Sequence, residues 1–269
     1  MIELFDTQRQ TVNRQSSKGN QLKWKVDGYW YKADYAGYEG LAEYAASKLL
    51  QHSSLQAAEY TVYETEEIRF KKQVFLGAKS KDFLKPGQQL FTIERIFRQK
   101  YGTSFYQNIF HIENHKERLR FLVDNVIRIT GLYDFGIYMN KILTLDAVIL
   151  NEDRHAHNIA VLKNPDGTYD YCPIFDNGAG LLSDTTLDYP LGGNLYKQIG
   201  AVKAKTFCMD FDEQLDISEE LYGCHLQFHI SIKEIEEIFS QEELYPQNVR
   251  QRVRDVLLES RRKYQYLFQ

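Results

Sequence analysis

The chain reads as an α+β protein of two lobes, a small β-rich lobe over residues 1–77 and a mainly helical lobe over residues 78–269. Three observations predict this. Period-2 alternation on both sides of Asp27-Gly28 marks a tight hairpin near the start, and two further strand-like runs follow it. From Leu90 onward the apolar residues recur at helical spacing. A single hairpin signal interrupts the helical part, with acidic residues at both of its ends.

Taken in order, the polar stretch Arg14-Gln15-Ser16-Ser17-Lys18-Gly19-Asn20-Gln21 leads into the first hairpin, Leu22-Lys23-Trp24-Lys25-Val26 and Tyr29-Trp30-Tyr31-Lys32-Ala33. A small-residue loop at such a place lays backbone N–H groups along a triphosphate. Lys32 carries a charge on an otherwise aromatic strand, where a phosphoryl-transfer site needs a cation for the inner phosphates. Residues 39–50, with Leu41, Ala42, Ala45, Ala46, Leu49 and Leu50, predict an amphipathic helix. Glu43 lies within it, placed to pair with Lys32, and Glu39, four residues or one turn earlier, is the alternative. Strands are predicted over residues 59–64 and 69–76. The pattern stops near Leu76-Gly77-Ala78-Lys79-Ser80, so the lobe boundary and an adenine-contacting hinge are expected there, with Leu76, Gly77 and Ala78 as its residues.

Helices are predicted over residues 92–101 and 113–130, the second with Leu119, Leu122, Val123, Val126 and Ile127 on one face. His111 and His115 lie four apart without the His-Glu-x-x-His pattern or an evident third ligand, so no zinc is expected. The apolar run 142–150 then delivers Asn151-Glu152-Asp153-Arg154-His155-Ala156-His157-Asn158 to a rigid position. Asp153 followed five residues later by Asn158 has the spacing of a phosphoryl-transfer catalytic loop: the acid takes the attacking hydroxyl's proton and the amide binds metal. Asn164-Pro165-Asp166-Gly167 predicts a hairpin turn that brings Asn158 close to Asp176, the second metal ligand. Residues 178–193 read as a loop shaping the substrate cleft. Ser231 with Glu234 forms a capping-box signal, and a final helix spans about 248–267, its arginines read as a solvated face.

At 43% hydrophobic content, 269 residues suffice for a sizeable core. A net charge of −4 supplies no global attraction for nucleic acid, and direct nucleic-acid binding is not expected. Cys172, Cys208 and Cys224 are odd in number and lack a Cys-x-x-Cys pair, which fits a reducing cytoplasm. No signal peptide and no run of membrane-spanning length is visible, although a signal-independent route of secretion leaves no mark of this kind.

With these residues together, the sequence resembles the HipA-like serine/threonine kinases of bacteria, including compact CtkA-type members. The resemblance runs over nearly the whole chain. It rests on Ser17-Lys18-Gly19-Asn20-Gln21-Leu22-Lys23, Lys32, Glu43, the segment 77–84, Asp153-Arg154-His155-x-x-Asn158 and Phe175-Asp176. It implies a bilobal protein-kinase-like fold, ATP and magnesium, and transfer to a Ser or Thr hydroxyl of a protein substrate. By that likeness Asp153 is the base, with Lys32, Glu43 and His155 in the catalytic set. Asn158 and Asp176 hold metal, and Ser16, Ser17, Lys18, Gly19, Asn20 and Gln21 surround phosphate. Autophosphorylation of Ser16 or Ser17 is a further implication. The chain begins almost at the phosphate loop, without the extra N-terminal subdomain of full-length HipA, so a HipB-like DNA-binding antitoxin partner is left open. The Asp-Arg-His-x-x-Asn string also resembles the phosphoinositide kinases. Lipid or small-molecule phosphorylation, nucleotidyl transfer and a non-catalytic interaction role are the alternatives.

Overall fold

The computed structural model describes residues 1–10 and 21–269. Ser16, Ser17, Lys18, Gly19 and Asn20 of the expected phosphate loop lie outside the described residues. Asp27 and Gly28, at φ 49° and 77°, form the predicted two-residue turn. The first sheet comprises β1 (Ile2–Glu3), β2 (Lys23–Val26), β3 (Tyr29–Ala33), β4 (Tyr63–Phe70) and β5 (Gln73–Lys81), in spatial order β1-β4-β5-β3-β2.

Two strand expectations are corrected. β4 begins at Tyr63, past most of the predicted stretch, and Lys71-Lys72 turns the chain at φ 47° and 66° inside the predicted second strand. No Gly, Asn or Pro marks that turn, which is why the pattern missed it. β5 also runs through the expected lobe boundary. Gly77 pairs with Ala33 on one side and Glu66 on the other, and Ala78 with Lys32 and Thr65. The hinge reading of Leu76, Gly77 and Ala78 is therefore replaced: their main chain belongs to the ladder, and the link to the next sheet is residues 82–88.

Gly77 serves packing. A Cβ there would stand 2.1 Å from the Lys32 carbonyl oxygen, and one on Gly40 would stand 2.4 Å from the Gly77 carbonyl carbon. The two glycines let helix α1 (Glu39–Gln51) press onto the sheet. Its Leu41, Ala45, Leu49 and Leu50 enter the main core, whereas Leu4, Trp24, Tyr31, Ala33, Ile68 and Phe70 fill a smaller core under the sheet.

A second sheet, β6 (Gln89–Thr92), β7 (Ala160–Lys163) and β8 (Tyr169–Tyr171), contains the predicted hairpin, with Gly167 at φ 89° in its turn. β6, only four residues long, carried no separate signal. Helices α2 (Ile93–Tyr101), α3 (Phe105–Ile109) and α4 (His115–Thr130) precede α5 (Phe135–Ile149), of which 13 of 15 residues are buried. That burial makes α5 the central helix, packed against α4 and against α7 (Phe211–Tyr222) and α9 (Gln247–Lys263). α6 (Leu195–Ala201) and α8 (Ile232–Gln241) complete the set, α8 opening with the predicted Ser231/Glu234 capping box. The solvated-face reading of the last helix fails at Arg252. That side chain is buried, donating to the Tyr38 hydroxyl at 3.1 Å, the Tyr189 carbonyl at 3.0 Å and Gln198 Oε1 at 2.8 Å.

Candidate active site

Lys32 points from β3 toward α1. Its Nζ donates to Glu43 Oε1 at 2.5 Å and to Asp176 Oδ1 at 2.7 Å, and stands 3.4 Å from the Tyr63 hydroxyl. Burial works to lower the Lys32 pKa, but Asp176 and Glu43 outweigh it and raise the group well above its ordinary value. At Asp176 burial acts upward, while Lys23, Lys32 and Arg154 prevail and hold the carboxyl well below the usual carboxylate range. Lys32 and Asp176 thus form an ion pair. Glu43 Oε2 also accepts the Asn177 N–H at 2.9 Å, fixing the turn in which Asp176 adopts φ 60°. Glu39 is occupied elsewhere: its carboxylate accepts N–H bonds from Tyr35, Ala36 and Gly37, ahead of its own helix. Glu43 is therefore the partner of Lys32.

The second part of the site follows α5. Leu150, at φ 55°, ends the helix, and Asn151 turns back to donate to Asp146 Oδ1 at 3.0 Å while accepting the Asp153 N–H at 3.3 Å. Asp153 is buried, with His155 Nε2 at 3.8 Å from one carboxylate oxygen and Lys205 Nζ at 3.8 Å from the other. His155 joins Asp153 through its own N–H to the Asp153 carbonyl at 2.9 Å as well. Asn158 Nδ2 donates to that carbonyl at 3.0 Å. Among the described residues no hydrogen bond goes to the Asn158 amide oxygen. Of the expected phosphate loop, Gln21, Leu22 and Lys23 are described; all three are half-buried, and Lys23 begins β2.

Arg154 holds the two parts together. Its side chain is 1% exposed, donates to both oxygens of Asp146 at 3.0–3.1 Å, and reaches Asn177 Oδ1 at 2.6 Å. A single guanidinium nitrogen, Nη1, donates to the carbonyls of both Asn158 (3.1 Å) and Phe175 (2.7 Å). The main-chain carbonyls of Asn158 and of Phe175, which precedes Asp176, therefore border one nitrogen. The role of Asp146 went unread. An acid inside the apolar run 142–150 was the available signal, because a buried carboxylate needs a buried cation.

The segment after β5 meets the site through Phe83, whose ring centroid lies 5.8 Å from that of Phe175, with Leu84, Leu90, Ala160 and Leu162 beside them. Away from the site, His115 Nδ1 pairs with Glu213 Oε1 at 2.6 Å. Buried Cys208 stands close enough that the three ligand atoms lie within 4.8 Å, and its thiol donates to the Asp210 carbonyl at 3.4 Å. Those groups satisfy one another. Among the described residues, no helix is long and apolar enough to cross a membrane.

No family model and no curated protein matches this sequence. Among solved structures it is similar to the crystal structure of a Helicobacter pylori proinflammatory kinase, CtkA, with a TM-score of 0.63 and 15% identity over 97% of this chain and 94% of that chain. Identity that low speaks for fold alone. With a five-stranded sheet carrying Lys32, a helix carrying Glu43 and a mainly helical second part carrying Asp153, Asn158 and Asp176, the chain has the α+β, bilobal fold of a CtkA-like kinase.

Proposed function

We propose that the protein is an ATP- and magnesium-dependent kinase that transfers the γ-phosphoryl group to a Ser or Thr hydroxyl of a protein. The supporting observation is the double tether of Asp176, through Lys32 and Glu43 on one side and Arg154 on the other, beside the Asp153–Asn158 loop. A phosphoryl group in flight needs positioning and charge compensation more than covalent help. Lys32, oriented by Glu43, supplies a fixed cation for the inner phosphates. Asp153, held by its backbone contacts, orients the acceptor hydroxyl and takes its proton. Residues 82–84, next to Phe175, take the place of residues 76–78 as the adenine-side contact.

An amide oxygen on Asn158 and a carboxylate on Asp176 form a hard oxygen set that fits magnesium and does not suit a thiolate-seeking metal. These two side chains would hold the ion, which spreads the charge of the triphosphate when bound. The free Cys172, Cys208 and Cys224 fit a reducing compartment, and we place the protein in the cytoplasm on that ground.

The test is label transfer from γ-labelled ATP with magnesium, to the protein itself and to a generic protein acceptor, comparing wild type with Asp153→Ala. Label in protein with wild type alone supports the proposal. Label found only in extracted lipid, or transfer of an α-label instead, would reassign the acceptor or the reaction. ATP binding without any transfer would leave a nucleotide-binding interaction module.

A further inference from the structure

Residues 202–210, between α6 and α7, are brought by the fold against the catalytic loop. Val202, Ala204 and Thr206 are buried along this segment, and Lys203 and Lys205 are exposed between them. Thr206 Oγ1 donates to the Arg154 carbonyl at 2.8 Å. The Tyr106 hydroxyl donates to the Lys205 carbonyl at 3.1 Å and accepts the Ala156 N–H at 3.2 Å. Arg118 donates to the Phe207 carbonyl at 3.0 Å and Gln214 to the Cys208 carbonyl at 2.7 Å. The main chain at Lys205 is thereby tied to residues immediately after Asp153. None of these ties uses the lysine side chain.

That side chain instead places Nζ 3.8 Å from Asp153 Oδ1 while remaining 42% exposed. An ion pair so open to water adds little to stability, and the main chain at Lys205 is already held by the other bonds. Asp153 itself is only 9% exposed at the side chain, so the lysine stands on the solvent side of the acid, where an acceptor and the end of a triphosphate must enter. A fixed cation there acts on charge that develops during transfer and costs no reorganisation when the reaction occurs.

We propose that Lys205 is a catalytic cation of this site, contacting the oxygens of the γ-phosphoryl group as it passes to the acceptor. The assignment rests on the kinase function proposed above and adds to it. In the step, the acceptor oxygen forms its bond to γ-phosphorus, and the bond from γ-phosphorus to the bridging oxygen breaks, its electron pair leaving with ADP. The hydroxyl proton passes to Asp153. Lys205 keeps its own protons and offsets the negative charge on the three non-bridging oxygens.

The experiment measures kcat and KM for ATP with γ-labelled ATP and a generic protein acceptor for wild type, Lys205→Met and Lys205→Arg, with thermal unfolding of each. Methionine keeps most of the length without charge, and arginine keeps the charge. Expected is a fall in kcat of about 10²-fold for Lys205→Met, the usual effect of losing one preorganised charge-stabilising group. The KM for ATP and the unfolding midpoint stay near wild type, and Lys205→Arg recovers a substantial part of kcat. Wild-type transfer with Lys205→Met equally active overturns the assignment and leaves the kinase function standing. A rise in KM with kcat unchanged overturns it too, because the lysine then binds nucleotide without acting on transfer. So does a lowered unfolding midpoint that arginine does not restore, the mark of a structural role. Absence of transfer by wild type overturns both the kinase function and the assignment.

Discussion

Asp153 and Arg154 adjoin in sequence, but their side chains meet different surroundings. Arg154 is enclosed with Asp146 and Asn177, and its loss strands a buried carboxylate. Arg154→Ala is expected to lower unfolding free energy by about 3–5 kcal/mol, measured by denaturant titration. Asp153→Asn keeps shape and backbone contacts. It should abolish phosphate transfer while changing stability by less than about 1 kcal/mol in the same titration. Lys32→Met should cut transfer by at least about 10²-fold, since Glu43 and Asp176 would then face each other without their shared cation. Asp153, Asn158 and Asp176 could be proposed from their spacing around the hairpin, and Lys32 from a charge on an otherwise aromatic strand. Arg154 stood in the same motif, yet its partner Asp146 lies a helix turn and a loop away, and only folding makes them neighbours.

At the scale of elements, the approach of α1 to the sheet decides whether Lys32 finds Glu43. Gly40→Ala would drive a Cβ against Gly77 and push the helix outward. The expected cost is about 1–3 kcal/mol in thermal unfolding, with a loss of transfer activity because Glu43 moves with the helix. Ser231→Ala is the contrast. It removes a cap accepting the Glu234 N–H at 3.2 Å on α8, outside the residues assigned to the site, and should cost about 1 kcal/mol while leaving activity unchanged. Turns made by Asp27-Gly28 and Pro165-Asp166-Gly167 were readable from residue type. The Lys71-Lys72 turn was not, because lysine has no preference for positive φ, and so β4 and β5 lay displaced from their predicted places.

Across the whole molecule, Asp34 joins the first lobe to the segment before α9. Its oxygens accept the Gly40 N–H at 2.6 Å and the Tyr245 hydroxyl at 2.7 Å. Burial, with Glu39 adding to it, pushes this carboxyl up to about 7, against the lowering pull of its two hydrogen bonds. A carboxyl raised in the folded state keeps its proton there after the unfolded chain has lost it. Its stabilisation is complete below its ordinary value of 3.8 and is lost as pH rises through about 7. Unfolding midpoints should therefore decline over that interval through this group, and Asp34→Asn should flatten the decline, as read by thermal unfolding from pH 4 to 8. Arg252 makes a second long-range tie, reaching Tyr38, Tyr189 and Gln198 from α9.

By itself the sequence determined the class of fold, the order of its lobes, the helix carrying Glu43 and the acid–amide–hairpin–acid series of the second lobe. These follow from local periodicity, turn chemistry and short fixed spacings, which act between near neighbours in the chain. Tertiary structure alone decided that Glu43 and not Glu39 meets Lys32, that Asp146 and Arg154 hold the two segments of the candidate site together, and that Lys205 stands beside Asp153. Each of those is a contact between elements, and distance in space between elements is set by packing, for which residue order carries no direct signal.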